Sequence, residues 1–170
     1  KETFDAIYKS LNDNGVFVFE DPYMGSVIKM NSYDQFYDEH VHIFSLIAIT
    51  NILKKSKLKV FDVELLQTHG GSTRFYVCKE NAKYSINKSV KNLKSKELKQ
   101  GLHKLSTYTK FASRVKKSKY ELLELLKELK KKSKKVVSYG ATYKSATIFN
   151  YCNIGNDLIN YVLDSTKNKQ

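Results

Sequence analysis

Between Ser89 and Lys134 the chain contains no proline and a single glycine, Gly101. Within that stretch Leu102, Leu105, Leu122, Leu123, Leu125, Leu126 and Leu129 recur at helical spacing. A segment this long without a breaker predicts one or two long helices, since glycine and proline are the strongest local punctuation. It excludes an all-β fold and makes the middle of the chain a helical connector between whatever lies on either side.

Before the connector the pattern changes. Phe4, Ile7, Tyr8 and Leu11 keep the i, i+3, i+4, i+7 spacing of an amphipathic helix, which Asn14-Gly15 ends. The run Val16-Phe17-Val18-Phe19 is apolar on both faces, as in a strand of a parallel sheet covered by helices. It stops at Glu20-Asp21-Pro22-Tyr23, and ligands of open α/β sheets sit at that carboxyl edge. Val41 to Leu53 reads as a second helix. Val60 to Leu66 and Thr73 to Cys78 read as strands joined by Thr68-His69-Gly70-Gly71-Ser72, an antiparallel hairpin.

After the connector, Lys130 to Lys135 forms a polar exit. Val136 to Ala141 is then a short strand entering a glycine turn, Ser145 to Tyr151 a helix, and Leu158 to Asp164 a second strand. This is one β-α-β unit, the opening of a nucleotide-binding type of fold. Two strands and a helix are too few to bury an independent core. The chain also opens on Lys1-Glu2-Thr3-Phe4-Asp5, which resembles the inside of a helix rather than a start or a signal peptide. The expectation is an internal piece of a longer α/β protein, divided as 1–80, 81–135 and 136–170.

Composition narrows the function classes. The net charge of +13 invites a nucleic-acid reading, but the lysines concentrate between Lys79 and Lys135. There they interleave with Glu97, Glu121, Glu124 and Glu128, the pattern of a solvated helix face. Only Arg74 and Arg114 are arginines, whereas base-reading proteins favour arginine for bidentate contacts. Nucleic acid is therefore not the expected partner. No run reaches the roughly 20 apolar residues of a membrane helix. Cys78 and Cys152 stand far apart among apolar neighbours, which predicts buried reduced thiols and a cytoplasmic setting.

Three segments could carry chemistry. Tyr33-Asp34-Gln35-Phe36-Tyr37-Asp38-Glu39-His40-Val41-His42 gathers two imidazoles, three carboxylates and two phenols. An imidazole beside carboxylates suits general acid–base work. The same residues also suit a polar loop with Asp38 or Glu39 near the positive end of the following helix. A metal site is disfavoured, because His40 and His42 lack the HExxH spacing. Thr68 to Ser72 could let backbone approach a substrate, or could be a plain turn with a surface histidine. Tyr139-Gly140-Ala141-Thr142-Tyr143-Lys144-Ser145 could hold an anion at a helix start, or could be an ordinary strand–helix turn.

Three runs together resemble successive signatures of the deoxysugar C-methyltransferases. They are Asp34 to Leu46, Thr68-His69-Gly70-Gly71-Ser72-Thr73-Arg74, and Tyr139-Gly140-Ala141 with Lys144. The resemblance continues through Asn150-Tyr151-Cys152 to Asp164 and Lys169-Gln170. It implies a later part of a class I, Rossmann-like methyltransferase sheet ending in an antiparallel strand pair. The helical connector and the start of a second Rossmann-like domain follow. The donor implied is S-adenosylmethionine, and its Gly-rich loop has no counterpart here. A cysteine-bound zinc is implied only for a segment upstream of this chain.

The reaction the resemblance implies is methylation of a carbon next to the keto group of a nucleotide-linked deoxysugar. It needs a base for the carbon-bound proton and donors for the developing enolate oxygen. By motif His40 is the base, with Glu39 and Tyr37 orienting it or steadying the enolate. Tyr37 and His40 share a face if the segment is helical, Tyr37 and Glu39 if it is extended. Asp21, Tyr23, His69 and Arg74 are the expected lining of the substrate pocket. A related enzyme on a non-sugar keto substrate and a non-catalytic module of the same fold are the alternatives. The third signature departs from the family in lacking a glycine before Tyr139 and in carrying the bulky Tyr143 before Lys144. A structural role is the reading for that segment.

Overall fold

The computed structural model describes residues 2–169, the side chains of His69 and Lys169 excepted, so Gln170, at the end of the resemblance, lies outside the described residues. The chain is a mixed α/β protein that divides into two compact units. The first comprises the chain up to Met30 together with His42–Tyr108, and the second comprises Asn31–Val41 with everything from Thr109 onward. Among the described residues no helix is long and apolar enough to cross a membrane.

The first unit is built on a three-stranded sheet of β1 (Val16–Pro22), β2 (Leu58–Leu66) and β3 (Ser72–Lys79). The predicted hairpin is β2 and β3, turned by a 3-10 segment, Thr68–Gly70, and by Gly71 at φ 119°. The order is β1-β3-β2, with β3 antiparallel to both neighbours. β1 and β2 therefore run in the same direction with the last strand inserted between them.

Among the described residues the neighbour of β1 is antiparallel rather than parallel. β1 pairs with β3 at the sheet edge, Phe19 opposite Phe75, and its residues alternate exposed and half-buried. Phe17 and Phe19 stack at 5.3 Å on the packed side and Phe19 meets Phe75 at 4.9 Å, while Val16 and Val18 face out. An apolar run shows that a strand is sticky on both faces; it does not show which strand arrives beside it.

Helices α1 (Glu2–Ser10), α2 (Met24–Met30), α3 (Leu46–Lys54) and α4 (Lys88–Gln100) complete this unit. Its core joins Leu46, Ile49 and Leu53 of α3 to Leu58 and Val60 of β2, Phe75, Val77 and Cys78 of β3, and Val90 and Leu93 of α4. Each such side chain contributes about 1.5–3 kcal/mol on burial.

Helix α3 starts five residues later than the apolar spacing predicts. Phe44 is engaged in a parallel bridge to Tyr23, Ser45 caps the helix by accepting the Ala48 N–H at 3.1 Å, and Asp38 and Glu39 take no part. The decisive partner is remote. Glu97 of α4 accepts the N–H groups of Leu46 at 2.7 Å and Ile47 at 2.8 Å. Its side chain is wholly buried, so it does not belong to the solvated face on which the sequence puts it.

Helix α4 ends at Gly101, whose left-handed φ of 72° lets the Leu102 N–H return to the Glu97 carbonyl at 3.0 Å. The uninterrupted stretch is thus two helices, the second being α5 (Leu105–Lys131). On α5 the lysine and glutamate pattern is the predicted solvated face, with Lys117–Glu121 at 3.6 Å and Lys127–Glu124 at 3.3 Å.

The second unit takes α5 from Thr109 onward and adds β4 (Val137–Tyr139), α6 (Tyr143–Cys152) and β5 (Tyr161–Leu163). β4 and β5 pair in parallel across α6, the predicted β-α-β unit. Both strands are shorter than predicted. Gly140 turns away at φ 99°, and Leu158 and Ile159 send their N–H groups to the Gly155 carbonyl, both at 3.1 Å, before β5 begins. Cys78 in one unit and Cys152 in the other are free and fully buried.

Candidate functional site

Tyr37 has extended backbone, φ −147° and ψ 179°, and the next three residues, Asp38–His40, form one 3-10 turn. The His40 N–H donates to the Tyr37 carbonyl at 2.9 Å. Side chains three apart eclipse in such a turn. The rings of Tyr37 and His40 accordingly meet edge to face, 4.8 Å apart at 74°. Of the two pairings the sequence allowed, this is the helical one. Tyr37 and His40 are half-buried, and Asp38 and Glu39 are exposed.

The phenol of Tyr37 is pushed above its ordinary range, first by burial and then by the Glu39 and Asp38 carboxylates and Tyr143. A phenolate there would lose hydration and face two like charges. Tyr37 is therefore held as a protonated hydrogen-bond donor across the neutral range.

Helix α6 holds this segment in place within the second unit. Tyr143, Thr147 and Tyr151 lie four residues apart along one face of α6. The Tyr143 ring stacks on Tyr37 at 5.7 Å and 6°. Thr147 Oγ1 lies 3.3 Å from the Phe36 carbonyl and 3.0 Å from the Tyr143 carbonyl, sharing its proton between them, and Tyr151 packs on Tyr33 at 5.4 Å. The Tyr33 hydroxyl lies 3.7 Å from Cys152 Sγ and its pKa is pushed up to about 12, chiefly by burial. The sequence analysis placed a helix over Ser145 to Tyr151 without this stripe or its partner, which lies more than a hundred residues earlier.

The start of α6 is capped by the protein's own side chains. The Ala141 N–H donates to Asp164 Oδ2 at 2.7 Å, and Thr142 and Ser145 cap each other reciprocally at 3.1 and 2.9 Å. The protein's own acid and hydroxyls thus take the Ala141, Thr142 and Ser145 N–H groups, as in an ordinary strand–helix turn.

The remaining candidates are in the first unit. Arg74 sits on β3 opposite Glu20 on one side and Glu64 on the other, and bonds both, at 3.0 and 3.2 Å. Glu20 also accepts the Ser72 hydroxyl at 2.6 Å. Arg74 thus ties three strands together. Asp21 is half-buried opposite Thr73. Tyr23 is 2% exposed, and its phenol is kept protonated first by burial and then by the neighbouring Glu97 carboxylate. Its ring fills the space that a side chain at Gly25 would need.

The side chain of His69 lies outside the described residues. Beside its turn a pocket of about 450 Å³ is lined by Ser26, Lys29, Met30, Leu66, Gln67, Gly70 and Gly71. Among the described residues no group of three His, Cys, Asp or Glu side chains converges to hold a metal.

Residues 67–170 match the family described as C-methyltransferase C-terminal domain. The chain is also 28% identical over 169 residues to the C-methyltransferase NovU of Streptomyces niveus. That alignment takes in 99% of this chain and 40% of NovU, so the chain spans about two fifths of the length of this relative. Tyr37, Glu39 and His40 lie ahead of the family match and inside the NovU alignment.

Proposed function

Because the chain belongs to the C-methyltransferase C-terminal domain family, we propose that it forms part of an S-adenosylmethionine-dependent C-methyltransferase acting next to the keto group of a nucleotide-linked deoxysugar. The observation that carries this reading is the edge-to-face contact of the Tyr37 and His40 rings on one turn. His40 takes the proton from the carbon beside the keto group. Imidazole ordinarily titrates near neutrality, where a base of that strength is most effective. Tyr37, held protonated by burial and by the adjacent carboxylates, donates to the enolate oxygen as negative charge develops there. Glu39, on the same turn, is proposed to orient His40 or to steady the enolate.

Asp21, Tyr23, His69 and Arg74 are proposed to border the sugar-nucleotide pocket. For Tyr23 and Arg74 the support is for shaping the pocket rather than touching the ligand, since Tyr23 is buried and Arg74 is neutralised by Glu20 and Glu64.

The site for S-adenosylmethionine is proposed to lie largely outside the described residues. Of the acids at the carboxyl ends of β1 and β2, Glu20 is tied to Arg74 and Ser72, and Glu64 to Arg74 and Tyr76. The donor and any zinc are proposed to belong to other parts of the full-length enzyme, and the same holds for a soluble, cytoplasmic setting.

In the full-length protein, His40→Ala is expected to abolish methyl transfer to a 4-keto sugar nucleotide while calorimetric binding of S-adenosylmethionine persists. Turnover retained in that variant would remove His40 from the mechanism.

A further inference from the structure

The contacts of α6 follow a strict order. Going down the helix, Tyr143 meets Tyr37, Thr147 meets Phe36, and Tyr151 with Cys152 meets Tyr33. The earlier segment is therefore read backwards, one contact per helical turn. Lys119 of α5 secures the far end, donating to the Tyr151 carbonyl at 2.6 Å with its ammonium 4.9 Å from the centre of that ring. The near end is secured by the reciprocal Thr142–Ser145 cap, which fixes the first turn of α6 and with it the backbone of Tyr143.

The contact nearest the proposed chemistry is the Tyr143–Tyr37 stack. The two rings are within 6° of parallel, and Tyr37 in turn presents its ring to His40 at 74°. A parallel stack limits rotation of the Tyr37 ring about its second side-chain torsion, which is otherwise broad. An edge-to-face partner depends on the plane of the ring it meets. Tyr143 itself is 60% exposed, so little of its side chain serves the core of the unit.

We propose that Tyr143 is a positioning residue of the active site: its ring sets the plane of Tyr37 and, through Tyr37, the orientation of the His40 imidazole. The proposal rests on the reading of His40 and Tyr37 given above. It assigns the C-terminal strand–turn–helix a part in proton transfer through aromatic contact, with no ligand of its own. It also gives the bulky residue ahead of Lys144 a task.

The test uses the full-length enzyme with a 4-keto sugar nucleotide, comparing Tyr143→Phe, Tyr143→Leu and Tyr143→Ala for kcat, KM and the pH dependence of kcat. In the Ala and Leu variants kcat is expected to fall about tenfold, a barrier change of about 1.4 kcal/mol, with KM changed less than about twofold. The alkaline limb of the kcat profile is expected to move to lower pH, because Tyr37 loses the cover that keeps its phenol protonated. Tyr143→Phe keeps the ring and is expected to restore both the rate and the profile.

Ala and Leu variants with wild-type kcat and profile would overturn the proposal, as would a Phe variant as slow as the Ala variant. His40→Ala in parallel separates the two readings. An inactive His40→Ala beside an unaffected Tyr143→Ala removes only the positioning role, whereas an active His40→Ala removes the catalytic assignment on which it rests.

Discussion

Glu97 is the most consequential side chain that lies outside the proposed chemistry. Its carboxylate is fully buried and accepts the first two amide N–H groups of α3, at 2.7 and 2.8 Å. Nothing else in the helix can take those protons, because the first four N–H groups of an α-helix have no intrahelical acceptor. Replacing Glu97 by Ala strands two buried donors, each at a cost of about 1–3 kcal/mol, offset in part by no longer burying a carboxylate. A net loss of about 3 kcal/mol follows, and 1.4 kcal/mol is a factor of ten in an equilibrium constant. Native-state amide exchange at Leu46 and Ile47 is thus expected to speed up about a hundredfold, while the amide of Ile49, bonded to the Ser45 carbonyl at 3.0 Å, changes far less. Glu97→Gln keeps one acceptor oxygen and is expected to show about half that effect.

The pH dependence adds a sign. Burial raises the Glu97 pKa, against the pull of the two amide bonds, so between the ordinary carboxylate value and the raised one the folded protein holds more protons than the unfolded chain. Stability supplied by this group is then present below the unfolded value, about 4.3, and falls as pH rises. The penalty of Glu97→Gln should shrink over that window. Equal exchange at Leu46 and Ile47 in wild type and Glu97→Ala would refute the capping role, and a penalty growing with pH would show that the amide bonds outweigh burial.

Two further outcomes follow from local geometry. Gly71 has φ 119° and an added methyl would lie 2.7 Å from Ser26 Cβ, so Gly71→Ala is expected to lower stability by about 1–3 kcal/mol, read as a drop in Tm. Cys78 is fully buried with its thiol pushed up by burial, so it is expected to resist thiol reagents in native protein and react promptly in denaturant. Fast native labelling would show that the β3 core opens.

What the sequence made legible divides along a physical line. Features dictated by neighbours in the chain could be read directly: the Thr68–Ser72 hairpin turn and the β-α-β order after Val136 each depend on residues a few positions apart. Features settled by a distant partner could not. Glu97 and Glu121 sit in the same lysine-rich helical context, yet one is a buried cap and the other an exposed ion pair, because only Glu97 meets the start of α3. The run Val16–Phe19 pairs antiparallel with β3, a choice of neighbour absent from its own composition.

The candidate site shows both cases in one turn. The Tyr37–His40 pairing follows from a spacing of three once the backbone is helical, so the sequence contained it as one of two options. The Tyr143 stack depends on a helix entered 106 residues after Tyr37, and no local pattern announces it. Bulk at position 143 therefore reads from the sequence as a departure from a signature, and in the folded unit as a contact with the residue beside the proposed base.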